Sequence, residues 1–147
     1  MVFFREHRIR FQQELARKTR GLPTSIDKRL DLFCEKLETL LNLKDEKPAL
    51  LHGDLWSGNH FASHDQVPYI FDPAVYFGLR EADLAMTEMF GRLPEEFYSA
   101  YHEVFPTQPG YTERKDLYNL YHLLNHYNLF GGSYLEQADR IVRGFLD

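Results

Sequence analysis

The stretch that decides the reading is Leu50-Leu51-His52-Gly53-Asp54-Leu55-Trp56-Ser57-Gly58-Asn59, followed further along by Ile70-Phe71-Asp72-Pro73. The short apolar run Ala49–Leu51 leads straight into the polar string, so an extended segment delivers Asp54 onto a loop. Phe61-Ala62 and Pro68–Phe71 read as two short strands, with His64-Asp65-Gln66 turning the chain between them. Such a hairpin brings its ends, Asn59 and Asp72, close together. The set then comprises a loop carboxylate, a neutral carbonyl oxygen and a second carboxylate on the returning strand. It suits transfer of a phosphoryl group from ATP to an alcohol. Asp54 would stand beside the attacking hydroxyl as base, and Asn59 with Asp72 would hold Mg2+ against the phosphates. Neighbouring carboxylates repel one another and a divalent cation offsets that repulsion, so metal dependence is a corollary. Gly53 and Gly58 permit tight turns around the site.

Outward from this centre the pattern is helical. Phe4, Phe11 and Leu15 recur near helical spacing until Gly21 and Pro23. Leu30, Phe33, Leu37 and Leu40 form one apolar face of a second helix, with Thr24 and Asp27 spaced as a capping box. Lys44–Pro48 is a polar break before the central string. Beyond the hairpin, helices are predicted over Arg80–Phe90, from Pro94 through Phe105, from Thr112 to Gly131, and from Ser133 with Leu135, Ala138, Val142 and Phe145 as its stripe. The expected fold is mainly α with a small β-hairpin, an α+β arrangement, in a single domain spanning residues 1–147.

Composition narrows the partners. The chain of 147 residues is 44% apolar and 27% charged, a globular balance. A net charge of −5 makes nucleic acid an unfavourable partner and demands a local site or a metal for any polyphosphate. Arg5, Glu6, Arg8 and Arg10 interrupt the opening stretch, so it does not read as a signal peptide, and no apolar run suggests a membrane span. The single cysteine, Cys34, sits in the apolar series of the second helix, which indicates a buried, inert thiol and a cytoplasmic setting.

The spacing of Asp54, Asn59 and Asp72 matches the kinase-fold order of catalytic-loop aspartate, asparagine and, beyond a hairpin, a metal-binding aspartate. The wording goes further. HGDLWSGN at 52–59, FDPAVYFG at 71–78, READLAMTEMFG at 80–91 and LYHLLNHYNLFG at 120–131 closely resemble the fructosamine (ketosamine) kinase family, and the resemblance runs from FFREHRIRFQ at Phe3–Gln12 to Tyr134. Aminoglycoside and choline kinases share the skeleton but not those strings. The resemblance implies the C-terminal lobe of a protein-kinase-like fold. It also implies ATP- and Mg2+-dependent phosphorylation of a sugar hydroxyl on a ketoamine, free or protein-bound, in deglycation. It assigns Asp54 as catalytic base, Asn59 and Asp72 as metal and nucleotide ligands, and Asp83 as a brace for the catalytic loop. His52 reads as a scaffold hydrogen-bonder, because Asp54 already fills the role of base. Trp56 is a candidate substrate contact or a loop-packing residue.

Relatives of this kind are about twice as long, and the resemblance places the lobe that covers ATP in the part not represented here. No GxGxxG occurs, no lysine stands in a VAIK-like strand, and Asn59-His60 occupy the Lys-Ser/Thr positions that a Walker loop needs. The chain alone is therefore expected to have little kinase activity. Two other readings stay open: a non-catalytic module that self-associates through the face left open by the missing lobe, and a kinase of the aminoglycoside or choline class. A two-metal phosphatase is disfavoured because its ligands would be crowded into 53–60. His122 and His126 have zinc-pair spacing but no third ligand, and read as structural.

Overall fold

The computed structural model describes residues 2–43 and 46–147, so part of the predicted Lys44–Pro48 break lies outside the described residues. The chain forms two compact units, Met1–Lys44 with Asp116–Asp147, and Asp45–Lys115.

The first unit is helical. A π-helical stretch, Phe4–Arg10, runs directly into α1 (Phe11–Thr19), followed by α2 (Thr24–Leu41). From the C-terminal half come most of α5 (Tyr111–Phe130) and α6 (Tyr134–Leu146). Ile9, Leu30, Phe33, Leu37, Leu117, Leu120, Leu124 and Val142 are all essentially inaccessible and form the core, whereas Phe11 of the predicted first-helix stripe is 58% exposed and that segment buries Ile9, Gln12, Gln13 and Ala16 instead. Helix–helix burial of this kind, at ~25 cal/mol per Å2 of apolar area, outweighs modest intrinsic propensity. Cys34 lies in the same core, and burial pushes its thiol up to about 11, so it stays protonated and unreactive.

The predicted capping boxes are absent from this unit. Pro23 precedes α2 and accepts the Ile26 and Asp27 N–H groups through its carbonyl. The Asp27 carboxylate instead takes Gln13 Nε2 at 2.7 Å and Arg17 Nε at 2.8 Å, joining α1 to α2. Ser133 makes no cap bond to the backbone of α6. At Asp27, tertiary partners thus won over local ones, while the Ser133 hydroxyl receives the Gln137 side-chain amide at 3.4 Å. The end of α5 is closed from a distance: Arg20 donates to the Asn128 carbonyl at 3.1 Å and the Leu129 carbonyl at 2.6 Å, satisfying oxygens that the last helical turn leaves unpaired. His126 Nδ1 is bonded to the His122 carbonyl at 2.7 Å, and burial, with the His126 and Arg8 charges, holds the His122 imidazole down to about 4.

The second unit contains all the strands among the described residues. β1 (Ala49–Leu51) pairs antiparallel with β4 (Tyr76–Gly78), with Leu50 opposite Phe77, and β2 (His60–Ala62) pairs antiparallel with β3 (Pro68–Ile70), with His60 opposite Ile70. The β2–β3 hairpin is the predicted one, shortened at Phe71. The β1–β4 pairing was not expected. Helices α3 (Glu81–Met89) and α4 (Glu95–Val104) follow, and the first residues of α5 complete the unit. The observed class is therefore mainly α with small two-stranded sheets, as the periodicity indicated.

Two buried arginines lace this unit. Arg114 forms a two-pronged ion pair with Glu81, which is 0% exposed, and also donates to the Pro109 carbonyl at 2.6 Å. Arg80 binds Glu46 at 2.8 Å and the Phe105 and Pro106 carbonyls at 3.0 and 2.7 Å. Further along α3, Glu88 accepts Tyr111 Oη at 2.8 Å and Lys115 Nζ at 2.7 Å. Burial alone would raise the Glu88 carboxyl, but these two hydrogen bonds and the Lys115 and Arg92 charges outweigh it and hold the group below its usual value of 4.5. A depressed carboxylate contributes stability above its unfolded value and loses that contribution as pH falls through the folded one. Glu88→Gln is accordingly expected to destabilise the chain at pH 7 and to approach the wild type under acid conditions, as measured by urea midpoints across the pH range.

Candidate active site

The central string is shaped by contacts on both sides of Asp54. The His52 and Gly53 N–H groups donate to Asp83 Oδ2 and Oδ1 at 2.7 and 2.8 Å, so one carboxylate on the first turn of α3 grips two consecutive amides of the loop. Burial pushes the Asp83 carboxyl above the ordinary range, although both N–H bonds and the nearby His52 pull it the other way. Gly53 has φ +82, and a Cβ there would overlap the Ala74 carbonyl oxygen, so glycine is required by conformation and by space. Ala74 N–H in turn donates to the His52 carbonyl at 2.8 Å.

His52 ties the loop to the segment after the hairpin. Its Nε2 is bonded to the Phe71 carbonyl at 2.9 Å, while Nδ1 receives the Asp54 N–H at 3.4 Å, an arrangement that places the ring hydrogen on Nε2. A hydrogen-bonding scaffold is what this geometry describes. Asn59, 5% exposed, turns its amide hydrogens to Asp54, reaching the main-chain oxygen at 2.9 Å and Oδ2 at 3.0 Å. Its Oδ1 makes no hydrogen bond among the described residues. Phe71 N–H donates to the Asn59 carbonyl at 3.1 Å, which carries the hairpin ladder one step beyond His60 and Ile70.

Asp72 is the next residue. The hairpin therefore sets Asn59 opposite Phe71, with Asp72 one position further on. Asp72 is exposed, has φ +55, and its carboxylate makes no hydrogen bond or ion pair among the described residues. Direct hydrogen bonds join Asp54 to Asn59 and Asp83 to the loop, whereas Asp72 is brought alongside by its backbone.

Trp56 and Ser57 complete the loop. The Trp56 ring lies against Gly58, where a Cβ would overlap the indole, and meets Phe90 edge-on at 6.4 Å. Ser57 Oγ donates to the Phe90 carbonyl at 2.7 Å. Ser57 and Phe71 do not stand out in the sequence, because their contribution runs largely through backbone groups that residue type does not reveal.

The donor set fits a hard cation. An amide oxygen left free by its own N–H groups and an exposed carboxylate offer oxygen only, and Mg2+ is commonly held by one or two such groups with phosphate oxygens and water completing the shell. Among the described residues no cluster of three or more His, Cys, Asp or Glu could hold a metal unaided, so phosphate oxygens would have to contribute.

A loop ending in asparagine, a hairpin returning an aspartate beside it, and a helix whose aspartate braces the loop amides are arranged as in a kinase-like fold. A fructosamine kinase family profile matches residues 1–147. A protein of Synechocystis described as a probable ketoamine kinase is 49% identical over 96% of this chain and 46% of its own length. A chloroplastic protein-ribulosamine 3-kinase of Oryza sativa subsp. indica is 46% identical over 98% of this chain and 42% of its own. A Thermobifida fusca crystal structure described as a fructosamine-3-kinase superposes with a TM-score of 0.88 at 36% identity, covering 98% of this chain and 50% of that one. The chain belongs to the fructosamine kinase family. It spans about half the length of the curated relatives it matches.

Proposed function

We propose that the chain carries the catalytic half of an ATP-dependent ketoamine kinase acting in deglycation, in a reducing, cytoplasmic setting. The observation that carries this reading is the Asn59 amide bound to Asp54, with its carbonyl oxygen left open. Asn59 fixes Asp54 Oδ2, leaving Oδ1 to accept the proton of the sugar hydroxyl as that oxygen bonds to the γ-phosphorus and the bond to the leaving phosphate breaks. Asn59 Oδ1 and the Asp72 carboxylate would hold Mg2+, which when bound neutralises phosphate charge. Asp83 keeps His52 and Gly53 in place, and with them the backbone carrying Asp54.

The ATP-covering lobe corresponds to the length that the relatives have in addition. Calorimetric titration of this chain with MgATP is expected to show weak binding and no turnover. Micromolar affinity with turnover would overturn the division of labour. Joined to the complementary half of the Thermobifida fusca protein, the chain is expected to phosphorylate a ketoamine in preference to an aminoglycoside or choline. The opposite preference would reject the substrate class.

A second reading rests on the apolar face of the strands. Leu50 and Phe77 form an exposed cross-strand pair, Phe77 being 70% exposed, and Phe61 stacks on an exposed Tyr69 at 5.1 Å. Such a face favours self-association in the absence of a covering lobe. An inactive, stable dimer by light scattering would support a non-catalytic role.

A further inference from the structure

We propose that Ser57 is a positioning residue, whose hydroxyl latches the loop onto the Phe90 carbonyl and thereby fixes Trp56 as an aromatic wall beside Asp54. The role of that wall as an acceptor contact rests on the ketoamine-kinase reading; the latch itself does not.

Helix α3 holds the loop at two points. Near its start, Asp83 grips the amides that precede Asp54. Just past its end, the Phe90 carbonyl accepts Ser57 Oγ–H at 2.7 Å. Residues 83 and 90 lie roughly 10 Å apart along a helical rise, so the catalytic loop is strung between two fixed supports. The second support is built closely. Gly91 has φ +93, and a Cβ on it would stand 3.2 Å from Ser57 Oγ, so a side chain there would press on the latch. Phe90 also contributes its ring, which meets Trp56 at 6.4 Å and 82°. The Trp56 N–H contacts the Asp54 carbonyl at 3.2 Å, and the Asn59 N–H contacts the Trp56 carbonyl at 3.0 Å. Movement of Trp56 is therefore felt by Asp54 and Asn59 alike. Trp56 as a residue is 36% exposed, with its indole closely packed where Gly58 passes.

Trp56 is the sole tryptophan of the chain, so its emission reports this loop alone. Ser57→Ala removes one hydrogen bond of ordinary strength, which raises the undocked population roughly 5-fold. The expected result is a red-shifted emission with increased acrylamide quenching at little change in thermal midpoint. Ser57→Thr, which keeps the hydroxyl at an exposed position, is expected to restore both signals. Unchanged quenching in Ser57→Ala, or failure of Ser57→Thr to restore it, would overturn the latch. Neither measurement uses nucleotide or ketoamine, so this test and that of the phosphotransfer reading fail independently.

Discussion

Replacing Arg114 with alanine is expected to lower stability by about 3–5 kcal/mol, a large part of the margin typical of a domain. The substitution leaves Glu81 as an uncompensated charge at a site with no solvent access, and strips donors from the Pro109 and Gln108 carbonyls. Removing one partner of such a pair is far costlier than removing both, because the pair's own formation barely exceeds its desolvation. The double replacement Arg114→Met with Glu81→Leu should therefore recover most of the loss. Urea unfolding of the two single variants and the double one checks this. Single variants as stable as the wild type would contradict the buried pairing. The pair has a functional side, because Glu81 and Asp83 share the first turn of α3 and the clamp on Glu81 fixes the turn that presents Asp83.

The second large effect is expected from Asp83→Ala, at about 2–4 kcal/mol from two amide donors left without an acceptor. Hydrogen exchange should show the loss where it arises, with the His52 and Gly53 amides exchanging much faster. Asp83→Asn is expected to fall between, since its amide offers one acceptor oxygen to two donors. The elevated Asp83 carboxyl sets the sign with pH: the native state binds this proton more tightly than the unfolded chain, so the contribution is full at low pH and is lost as pH rises through the folded value. The deficit of Asp83→Asn relative to wild type should consequently narrow as pH rises from acid towards neutral. A deficit that widened over that range would assign the burial effect the wrong sign.

The helices were legible because their apolar stripes recur at the period that burial demands; Leu30, Phe33 and Leu37 in α2, and Leu117, Leu120 and Leu124 in α5, all lie in the core. The hairpin was legible from its turn residues. Strand β4 was not, because Tyr76–Gly78 is too short to show alternation and pairs with a segment far away in sequence. The capping boxes misled, since Asp27 can bond a helix amide or a distant arginine, and sequence does not rank the two. At the site, Asp54, Asn59 and Asp72 were singled out by residue type and spacing, and Asp83 by the family resemblance. Ser57 was not, nor was the Arg114–Glu81 pair, because nothing in a lone polar residue tells whether its partner is water or a buried group.

The left-handed backbone at Asp72 narrows the chemistry available there. Apart from glycine, only aspartate and asparagine adopt that conformation readily, because their short polar side chains can bond locally. Glutamate would keep the negative charge and forfeit the conformation; asparagine would keep the conformation and forfeit the charge. If Asp72 holds the cation as proposed, shape and electrostatics overlap there on a single amino acid, and neither exchange is expected to keep both.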